Sequence, residues 1–279
     1  MKKTRNDVYD IIIQAGQSNS QGCGLGETAE EYTDREEVLY FTPEFTVEIA
    51  REDVYEWGKQ NNFSLAFARE YVKADLKRGR KLLILRAAVG GTGFSDKRWG
   101  PEDDLYLRMM EMIRRALWQM TKNLTSSPHS TLHAPHSDIT SQFSALNSQF
   151  NMGSRLIALL WHQGETDAVN GMSKELYYEN LKRLVESVRN GFGCPKLPFI
   201  AGDFVSEWKN KNIKACEPII AATRELCQNI GNAAFVETAG LKSNNEDHGN
   251  GDDIHFSRDA LNILGKRYFE AYKTMLNNA

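Results

Sequence analysis

Cysteine is sparse in this chain, and the four present, at 23, 194, 216 and 227, have no Cys-x-x-Cys spacing. They read as free thiols rather than as a disulfide framework or a zinc knuckle. No apolar run approaches the length needed to cross a bilayer. Charge of one sign is not in surplus either. The formal net charge is −3, which gives no reason to expect nucleic acid or an anionic membrane surface as a partner. The opening residues, Met1 to Asp7, are basic but contain no apolar signal core ahead of the first strand. As it stands the sequence reads as cytoplasmic, or as secreted if a signal segment has been removed. Gly16, Gly22, Gly24 and Gly26 do not make a Gly-x-Gly-x-x-Gly, and no Lys-Ser/Thr phosphate loop is present, so nucleotide binding is a poor reading. His129, His133 and His136 lack Cys, Asp or Glu partners at matching spacing, so a solvated loop is the better reading there. Neither a metal nor a cofactor is expected, and the sequence does not reveal an oligomeric state.

What is present is a soluble-enzyme composition, 41% hydrophobic and 25% charged over 279 residues, enough to bury a sizeable core. Apolar runs predict strands at Val8–Gln14, Lys81–Ala87, Leu156–Trp161, Pro198–Asp203 and Ala233–Glu237. Helical periodicity predicts helices over about 62–79, 103–122, 173–190, 213–230 and 257–276. Ser173 with Glu175, and Ser257 with Asp259, suit helix starts. Alternation of strand and helix argues for an α/β fold: a three-layer α/β/α sandwich, flavodoxin-like, around a five-stranded parallel sheet. No linker divides the chain, so residues 1–279 read as a single domain. Segments of about 27–60 and 123–151 do not fit the repeating unit and read as insertions near a site. The first carries Tyr40, Phe41, Phe45, Tyr55 and Trp57; Trp57, Trp99 and Trp208 could stack on sugar rings, although tryptophan is more often core.

The most informative stretch is Asp10 to Ser20, where an apolar strand ends abruptly in Gly16-Gln-Ser-Asn19. Open α/β sheets place their ligands at such carboxyl strand ends. Ser18 is therefore a candidate nucleophile. Cys23 lies near it, but without an activating cation it reads as a packing residue. Gly90 and Gly91 follow the second strand, where glycines let backbone N–H groups approach a developing negative charge. The third strand leads into Trp161-His-Gln-Gly-Glu-Thr-Asp167. Asp252-Asp-Ile-His255 opens the last helix, at a spacing that lets a carboxylate fix an imidazole. Together these are the parts of acyl transfer. Ser18 attacks an ester carbonyl, His255 moves the proton and Asp252 holds His255. The oxyanion donors are the Ser18 N–H, a Gly90 or Gly91 N–H and the Gln163 amide. Gln17, Asn19 and His162 are substrate-binding candidates, although for His162, flanked by Trp161 and Gln163, a buried orienting residue is the better reading. His248 is an alternative base, for which a polar loop histidine is the safer reading.

These blocks resemble, in order, those of the SGNH hydrolase superfamily, and most nearly its sialate O-acetylesterase and acetylxylan esterase branch (carbohydrate esterase family 6-like). That branch typically reads GQSN, a glycine block, HQGE, then DG-x-H-hydrophobic-S; here position 253 is Asp in place of Gly. The resemblance runs from residue 11 to about 270. It implies a flavodoxin-like sandwich, a serine nucleophile, no metal and deacetylation of carbohydrates. It also implies Glu165 as a second candidate for the acid beside the histidine. The expected function is a serine esterase (a carboxylic ester hydrolase) removing O-acetyl groups from sialic acid or from a plant polysaccharide such as xylan. A lipase or thioesterase of the same superfamily, and a non-catalytic carbohydrate-binding protein, are the alternatives. Insertions rich in Tyr, Phe and Trp favour a sugar over a long acyl chain.

Overall fold

The apolar run near the amino terminus folds as β1 (Val8–Gly16), buried from Tyr9 onward. The protein is represented by a computed structural model describing residues 7–56, 58–119 and 153–277. Trp57, the 123–151 segment and His129, His133 and His136 lie outside the described residues. β1 is paired on both sides, with β6 (Arg80–Arg86) and β7 (Arg155–His162), all parallel. A strand buried on both faces has no polar side to offer, which is why these three read as continuous apolar runs. β8 (Phe199–Gly202) and β9 (Ala233–Val236) extend the sheet beyond β7.

The sheet has seven strands, in the order β3-β2-β6-β1-β7-β8-β9, rather than the five expected. The two additional strands come from the segment expected to be an insertion. β2 (Val38–Phe41) lies parallel to β6, and β3 (Val47–Ile49) closes the edge antiparallel to β2. Four and three residues are too few to display a strand period, and Tyr40 and Phe41 of this segment are core. β4 (Asp53–Tyr55) and β5 (Gly58–Gln60) form a separate two-stranded hairpin.

Helices flank the sheet. After the one-turn α1 (Ser18–Gln21), α2 (Phe63–Ala74) starts at Asn62, whose side chain accepts from Leu65 N. α3 spans Asp104–Gln119, and α4 (Glu165–Val169) follows β7 directly. α5 (Lys174–Gly191) has the expected Ser173 cap. α6 (Ser206–Lys211), α7 (Ile213–Asn229), α8 (Asn244–His248) and α9 (Arg258–Asn277) complete the described helices. α2 packs on α9 and α5 on α7. No helix among the described residues is long and apolar enough to cross a membrane. The chain leaves β1 toward β2 but leaves β7 toward β8, so the carboxyl ends of β1 and β7 flank a topological switch point. Trp99 and Trp208 are buried, Trp99 edge-on to Trp161 and Trp208 against Phe204, so neither presents a ring to a sugar.

At the opposite end of β1 the buried Asp10 ties the sheet together. Its carboxylate accepts from Arg80 Nε at 3.0 Å, Arg155 Nε at 2.7 Å and the Tyr71 hydroxyl at 2.8 Å. Burial alone would raise its pKa, but these hydrogen bonds outweigh burial and hold it below the ordinary carboxylate value. Removing one partner of such a cluster leaves charge uncompensated. Asp10→Asn is expected to cost about 2 kcal/mol, less than the roughly 3–5 kcal/mol of a fully buried pair because Arg155 is half exposed. A depressed folded-state pKa adds stability above the unfolded value of about 3.9 and loses it as pH falls through the folded value. The difference in Tm between wild type and Asp10→Asn should therefore be full at neutral pH and shrink below about pH 4. A difference independent of pH would contradict this role.

Candidate active site

β1 ends at Gly16, where φ is +125° and a Cβ would lie 2.1 Å from the His162 carbonyl oxygen. Only glycine lets the ends of β1 and β7 approach this closely. Gln17 N then donates to His162 O at 3.0 Å, and Ser18 begins α1. As the first residue of a helix, Ser18 has an N–H without an intrahelical acceptor, and no other acceptor takes it among the described residues.

Ser18 Oγ lies 2.9 Å from His255 Nε2. On the other side of the ring, His255 Nδ1 is 2.8 Å and 3.0 Å from the two Asp252 carboxylate oxygens. With Asp252 on Nδ1, the ring proton is assigned to Nδ1, leaving Nε2 to accept the serine hydroxyl proton. Burial raises the pKa of Asp252, but hydrogen bonds from His255 and Asn244 outweigh it and the group is lowered overall. Asn244 Nδ2 donates to Asp252 Oδ2 at 2.8 Å, Asn244 N donates to His255 O at 2.8 Å and Asn245 N to Asp252 O at 2.9 Å. The Ser243–Glu246 capping box fixes the start of α8, so this short helix holds the 252–255 turn in place. Asp253 faces away and pairs with Lys211 at 2.8 Å.

Glu165 does not reach His255. Its Oε1 accepts from Asn19 Nδ2 at 2.8 Å, while its Oε2 has no partner among the described residues. Burial, partly offset by the Asn19 hydrogen bond, raises its pKa and favours the uncharged acid. Asn19 itself is fully buried. It donates to Ile254 O and accepts from Phe256 N, both at 3.0 Å, so it clamps the backbone on either side of His255.

The expected oxyanion donors fare differently. A Cβ at Gly90 would lie 3.5 Å from Ser18 Cβ, so the glycine block does border the serine. The Gly90 N–H, however, donates to Gln21 Oε1 at 2.8 Å, whereas the Gly91 N–H has no acceptor among the described residues. Gln163 is buried and its Nε2 is occupied, donating to Asp167 Oδ2 at 2.7 Å, Thr92 O at 3.2 Å and Gln17 Oε1 at 3.3 Å. Asp167 in turn accepts from Phe94 N at 3.1 Å and Ser95 N at 2.7 Å. The Gly93 backbone passes so close that a Cβ there would meet this carboxylate at 2.6 Å. Gln163 therefore anchors the glycine block instead of pointing an N–H at Ser18.

The three expected substrate-binding residues are also turned inward. Gln17 Oε1 accepts from Thr166 N at 3.2 Å and Gly164 N at 3.4 Å, Asn19 is the clamp just described, and His162 lies under Phe63 and Phe256 with Nδ1 3.2 Å from Tyr268 OH. Burial lowers the His162 pKa to about 3, so the ring is neutral. Burial, then the charges of Asp252 and Asp53, push the Cys23 thiol up to about 11, which removes the thiolate a nucleophile needs. His248 Nε2 rests on Leu25 O at 3.1 Å, not on Ser18. Gln21 and Asn244 escaped sequence reasoning. Both are single polar residues in polar turns, with only their nearness to Gly16–Asn19 and to His248 to mark them.

The chain matches the model of a protein family described as "Carbohydrate esterase, sialic acid-specific acetylesterase" over residues 8–126 and 136–274. A probable carbohydrate esterase of Arabidopsis thaliana is 25% identical over 126 residues, which span 43% of this chain and 41% of that relative. Among solved structures, NanS superposes with a TM-score of 0.73 at 17% identity, covering 98% of this chain and 99% of NanS. A carbohydrate acetylesterase from Xanthomonas citri gives 0.56 at 14% identity, over 97% of this chain and 57% of that one. At these identities the structural likeness is one of fold.

Proposed function

Because this chain belongs to the sialic acid-specific acetylesterase family of carbohydrate esterases, we propose that it removes O-acetyl groups from carbohydrate through an acyl-enzyme on Ser18. One observation carries the reading: the continuous line from Ser18 Oγ through His255 to the Asp252 carboxylate, at 2.9 Å and 2.8 Å. The fold is taken as a three-layer sandwich and the chain as one domain acting on sialic acid or an acetylated plant polysaccharide.

Each step uses a group already in position. Ser18 Oγ attacks the acetyl carbonyl carbon while His255 Nε2 takes its proton. Asp252 holds the ring through Nδ1 and stabilises the imidazolium that forms. The oxyanion is met by the Ser18 and Gly91 N–H groups, and by Gly90 once Gln21 releases it. His255 then passes the proton to the departing sugar oxygen. Water, deprotonated by the same nitrogen, attacks the acetyl-serine; acetate leaves and Ser18 recovers its proton. Asn19, held by Glu165, acts through His255 as a positioning residue.

The test is release of acetate from acetylated sialic acid and acetylated xylan, beside 4-nitrophenyl acetate and a series of longer aryl esters. Preference for acetyl over longer chains supports the reading, and preference for long chains supports a lipase-like enzyme instead. Asn19→Ala is expected to lower kcat by about ten- to a hundredfold with KM little changed, since the clamp never touches substrate. A change confined to KM would contradict that role.

A further inference from the structure

An acceptor already sits on one of the backbone donors beside Ser18. The Gly90 N–H donates to Gln21 Oε1 at 2.8 Å. A Cβ at Gly90 would lie 3.3 Å from that oxygen and 3.5 Å from Ser18 Cβ, so the amide carbonyl and the nucleophile border one spot. The neighbouring Gly91 N–H has no acceptor among the described residues, and a Cβ at Gly91 would meet none of their atoms within 4 Å. One donor of the pair is open and the other is capped.

The position of Gln21 in α1 brings it there. It is the last residue of that one-turn helix, three after Ser18, and residues at this spacing share a helix face. Its backbone is fixed: Gln21 N donates to Gln17 O at 2.8 Å, and Gln21 O accepts from Arg86 Nη2 at 3.3 Å. Arg86 is itself held by two hydrogen bonds to Asp53, at 3.2 Å and 2.9 Å. The Gln21 side chain, in contrast, is exposed and bears on Gly90 through a neutral hydrogen bond. Rotation about its own side-chain bonds, a fast motion for an exposed residue, uncaps the Gly90 N–H without moving the helix that carries Ser18.

Acceptor strength decides when this happens. An ester carbonyl is a weaker acceptor than an amide carbonyl, so a bound substrate leaves the cap in place. The oxyanion formed by attack is charged, and charge-assisted hydrogen bonds are roughly twice as strong as neutral ones. We propose that Gln21 is a latch on the oxyanion hole, holding the Gly90 N–H until negative charge develops on the acetyl oxygen and then yielding it. The proposal rests on Ser18 being the nucleophile. Opening the latch breaks a hydrogen bond, and that cost falls on the transition state rather than on substrate binding. Gln21 therefore slows the reaction it borders, and removing its carbonyl accelerates catalysis.

The test compares Gln21→Ala with Gln21→Met, which keeps the length of the side chain and loses the carbonyl. Both variants are expected to raise kcat on 4-nitrophenyl acetate by about three- to tenfold, the worth of one neutral hydrogen bond, with KM little changed. A partly unfolded variant could only lose activity, so a gain is not a folding artefact. Phenylboronic acid gives a second readout. Ser18 Oγ bonds to boron, its proton passes to His255, and an oxygen of the tetrahedral adduct takes the place of the oxyanion. The Ki should fall by the same factor in both variants. Loss of activity in both overturns the proposal, since Gln21 would then assist the transition state. A gain confined to Gln21→Ala overturns it in favour of a steric obstruction, and unchanged kcat and Ki in both variants overturn it as well. Turnover by neither wild type nor variants, with no boronate adduct on Ser18, instead removes the serine esterase, and the latch with it.

Discussion

Ser18→Ala is expected to reduce kcat/KM on an acetyl ester by about four to six orders of magnitude while leaving the fold intact. In the proposed mechanism the hydroxyl oxygen bonds to the acetyl group, so its loss removes the covalent route and not merely a fraction of its rate. The side chain is small, and among the described residues its Oγ hydrogen-bonds only to His255, so the alanine variant has little to destabilise it. Binding and the oxyanion donors survive, which leaves a residual rate above that in water. The measurement is acetate release by wild type and variant at matched concentration, with Tm recorded for both. Near-wild-type activity in the variant would remove Ser18 from the chemistry; Cys23 is no ready substitute, since its thiol is held protonated to about 11.

The second large effect separates the two candidate acids. Asp252→Asn presents an amide to His255 Nδ1 and favours the wrong tautomer, so kcat is expected to fall by about a thousand- to ten-thousandfold. Glu165→Gln is expected to cost no more than about tenfold. Burial already favours the uncharged form of Glu165, and the glutamine carbonyl can still accept from Asn19. The isosteric change therefore preserves the clamp, whereas Glu165→Ala opens it and should resemble Asn19→Ala. Were Glu165 the operative acid, the order would invert, with Glu165→Gln the crippled variant and Asp252→Asn the mild one. Steady-state kinetics of the three variants on one acetyl ester decides between them.

How much of this could be read from the sequence depends on whether a residue's role is written in its neighbours. Buried parallel strands need continuous apolar runs, so Ile11–Ile13, Leu82–Leu85 and Leu156–Trp161 announced themselves. β2 and β3 did not, because short strands surrounded by acidic and aromatic residues carry no period of their own. The Asp252–His255 pairing was legible because it is local, three residues apart. The choice of Asp252 over Asp253 depends on the turn held by Asn244 and on Lys211 drawing Asp253 away, contacts no local pattern encodes.

Gln163, Gln17 and Asn19 read as outward-facing for a similar reason. In a block that follows a strand end, sequence cannot tell an amide facing the solvent from one stitching β1 to β7. Here they are stitches: Gln163 holds Thr92 and Asp167, Gln17 holds the start of α4, and Asn19 holds both flanks of His255. The residues most crowded with polar chemistry are the scaffold of the site. Among the described residues, the groups that the proposed mechanism leaves for substrate are few, namely a hydroxyl, one imidazole nitrogen and two or three backbone N–H groups.

The most direct measurement of the central claim is to treat the wild-type protein with a fluorophosphonate and locate the adduct by tandem mass spectrometry. A single adduct on Ser18, formed in step with loss of acetate release and absent from His255→Ala, is the expected result. Stoichiometric labelling at Ser20, Cys23 or any other residue, with Ser18 unmodified as activity disappears, would contradict it.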